Sequence, residues 1–130
     1  MPVVTIGQNT ADDFSGCEDA LLDDNSPNTN FSSGTTLTVE DTFQIPILRF
    51  TGLSNIPTDA TINAVTLHFN VASVAFVGGG AVMNFYEVLR DWIVGQVTYN
   101  SYTTGNGWGT PGALDASDID TTPAHTETCN

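Results

Sequence analysis

The side chains able to do covalent or metal chemistry are few. His68 and His125 are the two histidines, and Cys17 and Cys129 the two cysteines. The stretch "HTETC" (125–129) sets His125 and Cys129 four positions apart. A tetrahedral zinc centre needs two further nitrogen or sulfur ligands, and only Cys17 and His68 remain, far off in sequence. His68 falls on the polar side of an alternating stretch, where a surface role is expected. Serines are frequent, yet there is no Gly-x-Ser-x-Gly elbow and no evident triad. The paired carboxylates Asp12–Asp13 and Asp23–Asp24 are sequence neighbours, whereas glycoside hydrolysis needs two carboxyls facing across a cleft. No catalytic residue is expected, and the chain reads as a non-enzyme.

Other residue groups suggest binding. Asp23, Asp24 and Asn28, with Asn25 between them, make an oxygen-rich turn, as do Asp115, Asp118 and Asp120. Such turns are weak calcium candidates, because hard cations want several carboxylate and carbonyl oxygens. The EF-hand spacing is absent, and the same residues are ordinary turn formers. Apart from calcium, no cofactor is expected. Tyr99, Tyr102 and Trp108 offer flat apolar faces on which a sugar ring could stack. Alternatively Trp108 anchors its own Gly-rich loop, as Trp92 would cap the core. "NFS" (30–32) is a glycosylation sequon, relevant only to a chain made in a eukaryotic secretory pathway. Cys17 and Cys129 are either two free thiols or one disulfide. A bridge would close most of the chain into a loop worth about 4–5 kcal/mol in the chain-entropy model, and would need an oxidising compartment.

The scarcest groups are the cations. Among 130 residues, Asp and Glu total 15 while Arg and Lys total 2, both of them Arg, for a net charge of −13. A chain with so little positive charge lacks the footprint for nucleic acid or an anionic membrane. Arg49 lies in an apolar stretch and Arg90 begins "RDW", beside Asp91 and near Glu87. An arginine pairs bidentately with carboxylates and is always charged. Arg49, Arg90 and Asp91 are therefore expected to form structural salt bridges at strand ends.

These groups must be positioned by β-structure. Hydrophobic residues make up 40 % of the chain and Gly numbers 12, with no long stretch of 3.6-residue periodicity. Short strand-like runs recur at 3–6, 20–22, 37–39, 43–50, 61–71, 81–89 and 96–100, separated by turn formers. Pro46 inside one run marks an edge, a bulge or a strand start. The stretch 61–71 alternates most clearly, with Val65, Leu67, Phe69 and Val71 against Thr66, His68 and Asn70. "GGG" (78–80) suits a hairpin turn. The expected fold is all-β, an antiparallel sandwich. "MPVVTIGQNT" has neither a basic n-region nor a long apolar core, so it does not read as a secretory signal.

Two stretches, "RFTGLSNIPTDATINAVTLHF" and "FYEVLRDWIVGQVTYNSYTTGNGWGTPGA", resemble the DNRLRE-type domain. The pattern is carried by Arg49 and Phe50, by Leu53, Ser54, Ile56, Pro57, Ala60 and Ile62, and by Trp92, Val97, Thr98, Tyr99 and Asn100. Upstream, "EDALLDDNSPNTNFSSGTTLTV" is similar to the family's opening strand and loop, with Asn30-Phe31 in place of the usual pair. The resemblance spans roughly residues 18 to 113. It implies a jelly-roll-like β-sandwich close to a carbohydrate-binding module family.

The chain departs from that pattern after the Gly-rich loop, since 114–130 shows no alternating run for two more strands. The sandwich is then a short variant, part of a longer protein, or completed by a neighbouring chain; an unclosed sheet edge favours oligomers. The division expected is an N-terminal strand or arm (1–18), the sandwich (19–113) and an acidic tail (114–130). The resemblance implies two settings. One is the bacteriophage particle, where a capsid decoration or fibre module binds capsid or other virion subunits and itself, after synthesis in the host cytoplasm. The other is an extracellular, carbohydrate-binding or adhesive module with a glycan partner.

Overall fold

A computed structural model describes residues 16–74 and 81–129. It is all-β, with no α-helix among the described residues and a single 3₁₀ turn, Gly52–Asn55. The strands are β1 (Cys17–Asp23), β2 (Gln44–Phe50), β3 (Ala81–Phe85), β4 (Ser101–Thr103), β5 (Asn106–Gly107) and β6 (His125–Cys129). They form three two-stranded antiparallel sheets, β1–β2, β3–β6 and β4–β5. The antiparallel, all-β expectation matches this. The sheets stay small and unclosed, and among the described residues they do not join edge to edge into the broader sheets of a jelly roll.

The β1–β2 register explains where the core begins. Ala20 faces Ile47 and Leu22 faces Ile45. Period-two alternation puts these four on one face together with Glu18 and Arg49, which also face each other. Ala20, Leu22 and Ile47 are buried, and with them lie Trp92, Val97, Tyr99, Trp108 and Ala113. The apolar face of one hairpin is thus covered not by a second broad sheet but by the irregular segment 92–113. Pro46 sits in β2 opposite Leu21. Because β2 has a partner on one side only, the missing N–H breaks no described ladder.

Turns hold the covering segment in shape. Trp108 N–H donates to Asn100 O and Gly112 N–H to Tyr99 O. Asn100 N–H reaches back to Pro27 O. At Gly112 the backbone has φ +83°, and an added Cβ would lie 2.9 Å from the Tyr99 ring. Only glycine meets both conditions.

Several sequence expectations need correcting. The stretch 61–71, the clearest alternating run, is not a strand, and its residues are exposed, Val65 by 84 %. Alternation records only the capacity to cover one face; a strand also needs a neighbour for its N–H and C=O groups. β3 takes β6 as its neighbour, so 61–71 is not hydrogen-bonded to 81–85 as a hairpin. The run 37–39 is not a strand either, and only Glu40 bridges to Gln44. "QVTYN" bends instead of extending, and the strand starts at Ser101. The tail does contribute: β6 pairs with β3, Val88 bridges Ile119, and Asp118 is fully buried. A boundary at 113/114 therefore cuts through packed structure. The arm 1–15, the run 3–6 and the glycines 78–80 lie outside the described residues.

Gly112→Ala is expected to destabilise the chain by at least about 1–2 kcal/mol from the left-handed backbone alone, more if the Tyr99 ring cannot shift. Gly95→Ala, where a Cβ meets nothing within 4 Å, is the control. Urea denaturation of both variants measures the difference.

Candidate functional site

The described ionisable groups converge at two places, each built around one arginine. Arg49 extends the inner face of β2 beyond Ile47. Its Nε donates to Glu18 Oε2 at 3.0 Å, and its Nη1 donates to Asp91 Oδ1 at 3.2 Å and to the Trp92 carbonyl at 2.8 Å. The guanidinium carbon lies 4.8 Å from the Trp92 ring centre. The cation therefore closes the open end of the apolar face while its head still meets water.

The second cluster is deeper. Arg90 Nε donates to Asp118 Oδ1 at 3.2 Å, and its Nη2 donates to Ser117 Oγ at 3.0 Å. Asp118 is 0 % exposed. It also accepts from the backbone N–H groups of Gly109 (3.0 Å, to Oδ1) and Thr110 (3.2 Å, to Oδ2). Its backbone is engaged too, since Leu89 N–H donates to Asp118 O and Asp118 N–H to Asp115 O. One carboxylate thus joins the end of the β3 segment, the Gly-rich loop and the tail. Arg90 stacks over Tyr102 at 5.6 Å, and Tyr102 lies against Trp108 at 5.5 Å.

Arg49, Arg90 and Asp91 all form ion pairs, but the partners differ from those nearest in sequence. Asp91 pairs with Arg49, whereas Arg90 takes Asp118. The chain bends at Arg90, where Trp92 N–H donates back to Arg90 O, so adjacency in sequence does not set the pairing. The sequence marks Asp118 only as one acid of an oxygen-rich turn in the tail. Burial singles it out, and no local pattern signals that.

Trp92 and Trp108 are both in the core. Trp108 Nε1 donates to Thr98 O at 3.0 Å, and the Tyr99 hydroxyl donates to Thr42 O at 3.1 Å. Tyr99 and Trp108 are buried and Tyr102 lies beneath Arg90, so the three rings are packed inward and form no open platform for a sugar. Burial, and then the Asp24 carboxylate, push the Tyr99 phenol above its ordinary pKa.

The calcium candidates Asp23 and Asn28 accept hydrogen bonds from protein groups. Asp23 accepts from Asn25 N–H and from the Gln44 side chain, and Asn28 Oδ1 accepts from Asn100. Asp24 is exposed. Asp115 accepts from Ser117 N–H, which, with a hydrogen bond from the Ser117 side chain, lowers its pKa. No three His, Cys, Asp or Glu converge as metal ligands among the described residues.

Cys17 and Cys129 are free thiols on different sheets, β1 and β6. Burial, with Asp19 and Glu18 adding to it, raises the Cys17 thiol pKa, which disfavours the thiolate. His125 is exposed on β6, 3.4 Å from Glu127, and His68 is exposed in the 64–74 run. In the sequence Asn30 belongs to a sequon and to the Asn30-Phe31 pair of the opening loop. Its Nδ2 donates to Val94 O at 2.8 Å and Val97 O at 2.7 Å, and its Oδ1 accepts from Ser32. Both amide protons are spent on a loop clamp, so a glycan on this nitrogen would displace at least one of these bonds.

Asp118→Ala is expected to cost about 2–4 kcal/mol, because it leaves Arg90 and two loop N–H groups without their acceptor. Arg90→Ala lowers the melting temperature as well, and thermal unfolding of both variants checks the pair. The raised Tyr99 pKa stabilises the fold below the unfolded phenol's pKa, and that contribution is lost as pH rises through the folded value, above about pH 10. Absorbance titration should then show a late tyrosine phase that coincides with unfolding. Tyr99→Phe should remove the late phase at a cost of about 1 kcal/mol.

Comparison with family models, with curated proteins and with solved structures finds no match to this chain.

Proposed function

We propose that the chain is a non-enzymatic structural module of a bacteriophage particle, a DNRLRE-like β-sandwich that decorates the capsid or forms part of a fibre by binding neighbouring subunits. The run Ala64–Val74 carries this reading. It has the composition and alternation of a strand, yet it is exposed and unassigned to any sheet. Val65, Leu67, Phe69 and Val71 are all exposed. Contiguous exposed apolar surface on a chain with an otherwise ordinary core marks an interaction surface. The small sheets leave further edges open to pairing from outside. In the proposed assembly a neighbour supplies what the sandwich lacks.

The polar groups support the same reading. The two arginines, the buried carboxylate and both tryptophans are spent on holding loops together, as befits a module that works by adhesion. The glycan-binding alternative receives no comparable support, because its aromatic candidates are packed inward.

The test is particle composition. The chain is expected to co-sediment with purified virions at a fixed stoichiometry and to re-bind particles that lack it. Absence from particles, together with binding of the isolated monomer to a glycan array, would replace this function with the carbohydrate-binding one.

A further inference from the structure

The exposed run borders a broad, open hollow lined by 34–42, 60–74, the β3–β6 ribbon and residues from both faces of β2, together with Leu22 and 112–114. Its apolar wall includes Val39, Ile62, Val65, Leu67, Phe69 and Val71. Phe69 stacks on Phe85 of β3 at 5.8 Å, which fixes the run against the ribbon.

The charges around this wall are of one sign. Asp19, Glu40, Asp41 and Glu127 line the hollow, and neither arginine does. Both arginines are held elsewhere by Glu18, Asp91 and Asp118. His68 and His125 are its titratable nitrogens, and His125 faces Glu127. An apolar strip in a hollow whose charged lining residues are all acidic, on a chain of net charge −13, repels a second copy of itself and attracts a cationic partner.

We propose that the hollow receives an extended segment of a different subunit, with alternating apolar residues at its centre and Lys or Arg at its ends. The apolar side chains cover the Val65–Val71 face, backbone pairing makes the 64–74 run a strand, and the flanking cations meet Asp19, Glu40, Asp41 and Glu127. This partner chemistry rests on the reading of the chain as a subunit-binding module.

The probes are short synthetic peptides that share an alternating Val-Thr centre and carry either Lys or Glu at both ends. They are added to the full chain and followed by calorimetry and hydrogen exchange. The Lys-ended peptide is expected to bind at least about tenfold tighter than the Glu-ended one, to lose affinity as salt is raised, and to slow exchange in 64–74. The double variant Val65→Ser, Leu67→Ser alters exposed side chains and leaves the Phe69–Phe85 stack in place, so it should keep its melting temperature and lose most of the binding.

Equal affinity for both peptides overturns the proposal. So does slow exchange of 64–74 in the isolated monomer, which would mean that the chain covers itself. Protection that grows with protein concentration would instead make the occupant a second copy. Failure of the peptides while the chain still co-sediments with virions removes this partner chemistry and leaves the subunit-binding function. Peptide binding by a chain absent from virions does the reverse.

Discussion

A carboxylate with no exposure to water organises this protein. Ionised Asp118 would cost several kcal/mol if left alone in the interior. Arg90 and the N–H groups of Gly109 and Thr110 offset that cost. The requirement runs in both directions. The loop must bring its two N–H groups to Asp118, and at Gly109 an added Cβ would lie 2.5 Å from the Ser117 hydroxyl. The chain before β4 must deliver Arg90, and the tail must pass close enough for Asp118 N–H and O to be paired. One buried charge thereby fixes the relation of three segments that share few regular hydrogen bonds.

The two arginines divide the work of closing a core that has little sheet around it. Each guanidinium lies over an aromatic ring, Arg49 over Trp92 and Arg90 over Tyr102. Each also joins segments distant in sequence. Stacking of this kind contributes about 0.5–1 kcal/mol at an exposed site, and the charge-assisted hydrogen bonds add direction. Because both cations are consumed internally, the remaining carboxylates have almost no counter-charge on the same chain. The acidic surface follows from this allocation as much as from composition.

The contrast between the β1–β2 hairpin and the run 61–71 shows what a sequence pattern carries. Both alternate. The hairpin becomes a sheet because its two halves supply each other's backbone partners and because 92–113 covers the inner face. The run 61–71 has the better alternation, yet it joins none of the described sheets. Similarly, Trp108 was legible as either a loop anchor or a sugar platform. Its indole N–H donates to Thr98 O inside the core, a contact formed only when the Gly-rich loop folds back.

From sequence alone came the all-β antiparallel class, the structural use of the arginines, and Trp92 as a core residue. These depend on composition and on periodicities of a few residues. The tertiary structure decided that Arg90 takes Asp118 and not Asp91, that the tail belongs to the core, that Asn30 clamps a loop, and that the most strand-like run stays outside every described sheet. Each of these turns on which distant segment supplies a partner. Side-chain type sets what a group requires, and only the path of the folded chain determines what meets that requirement.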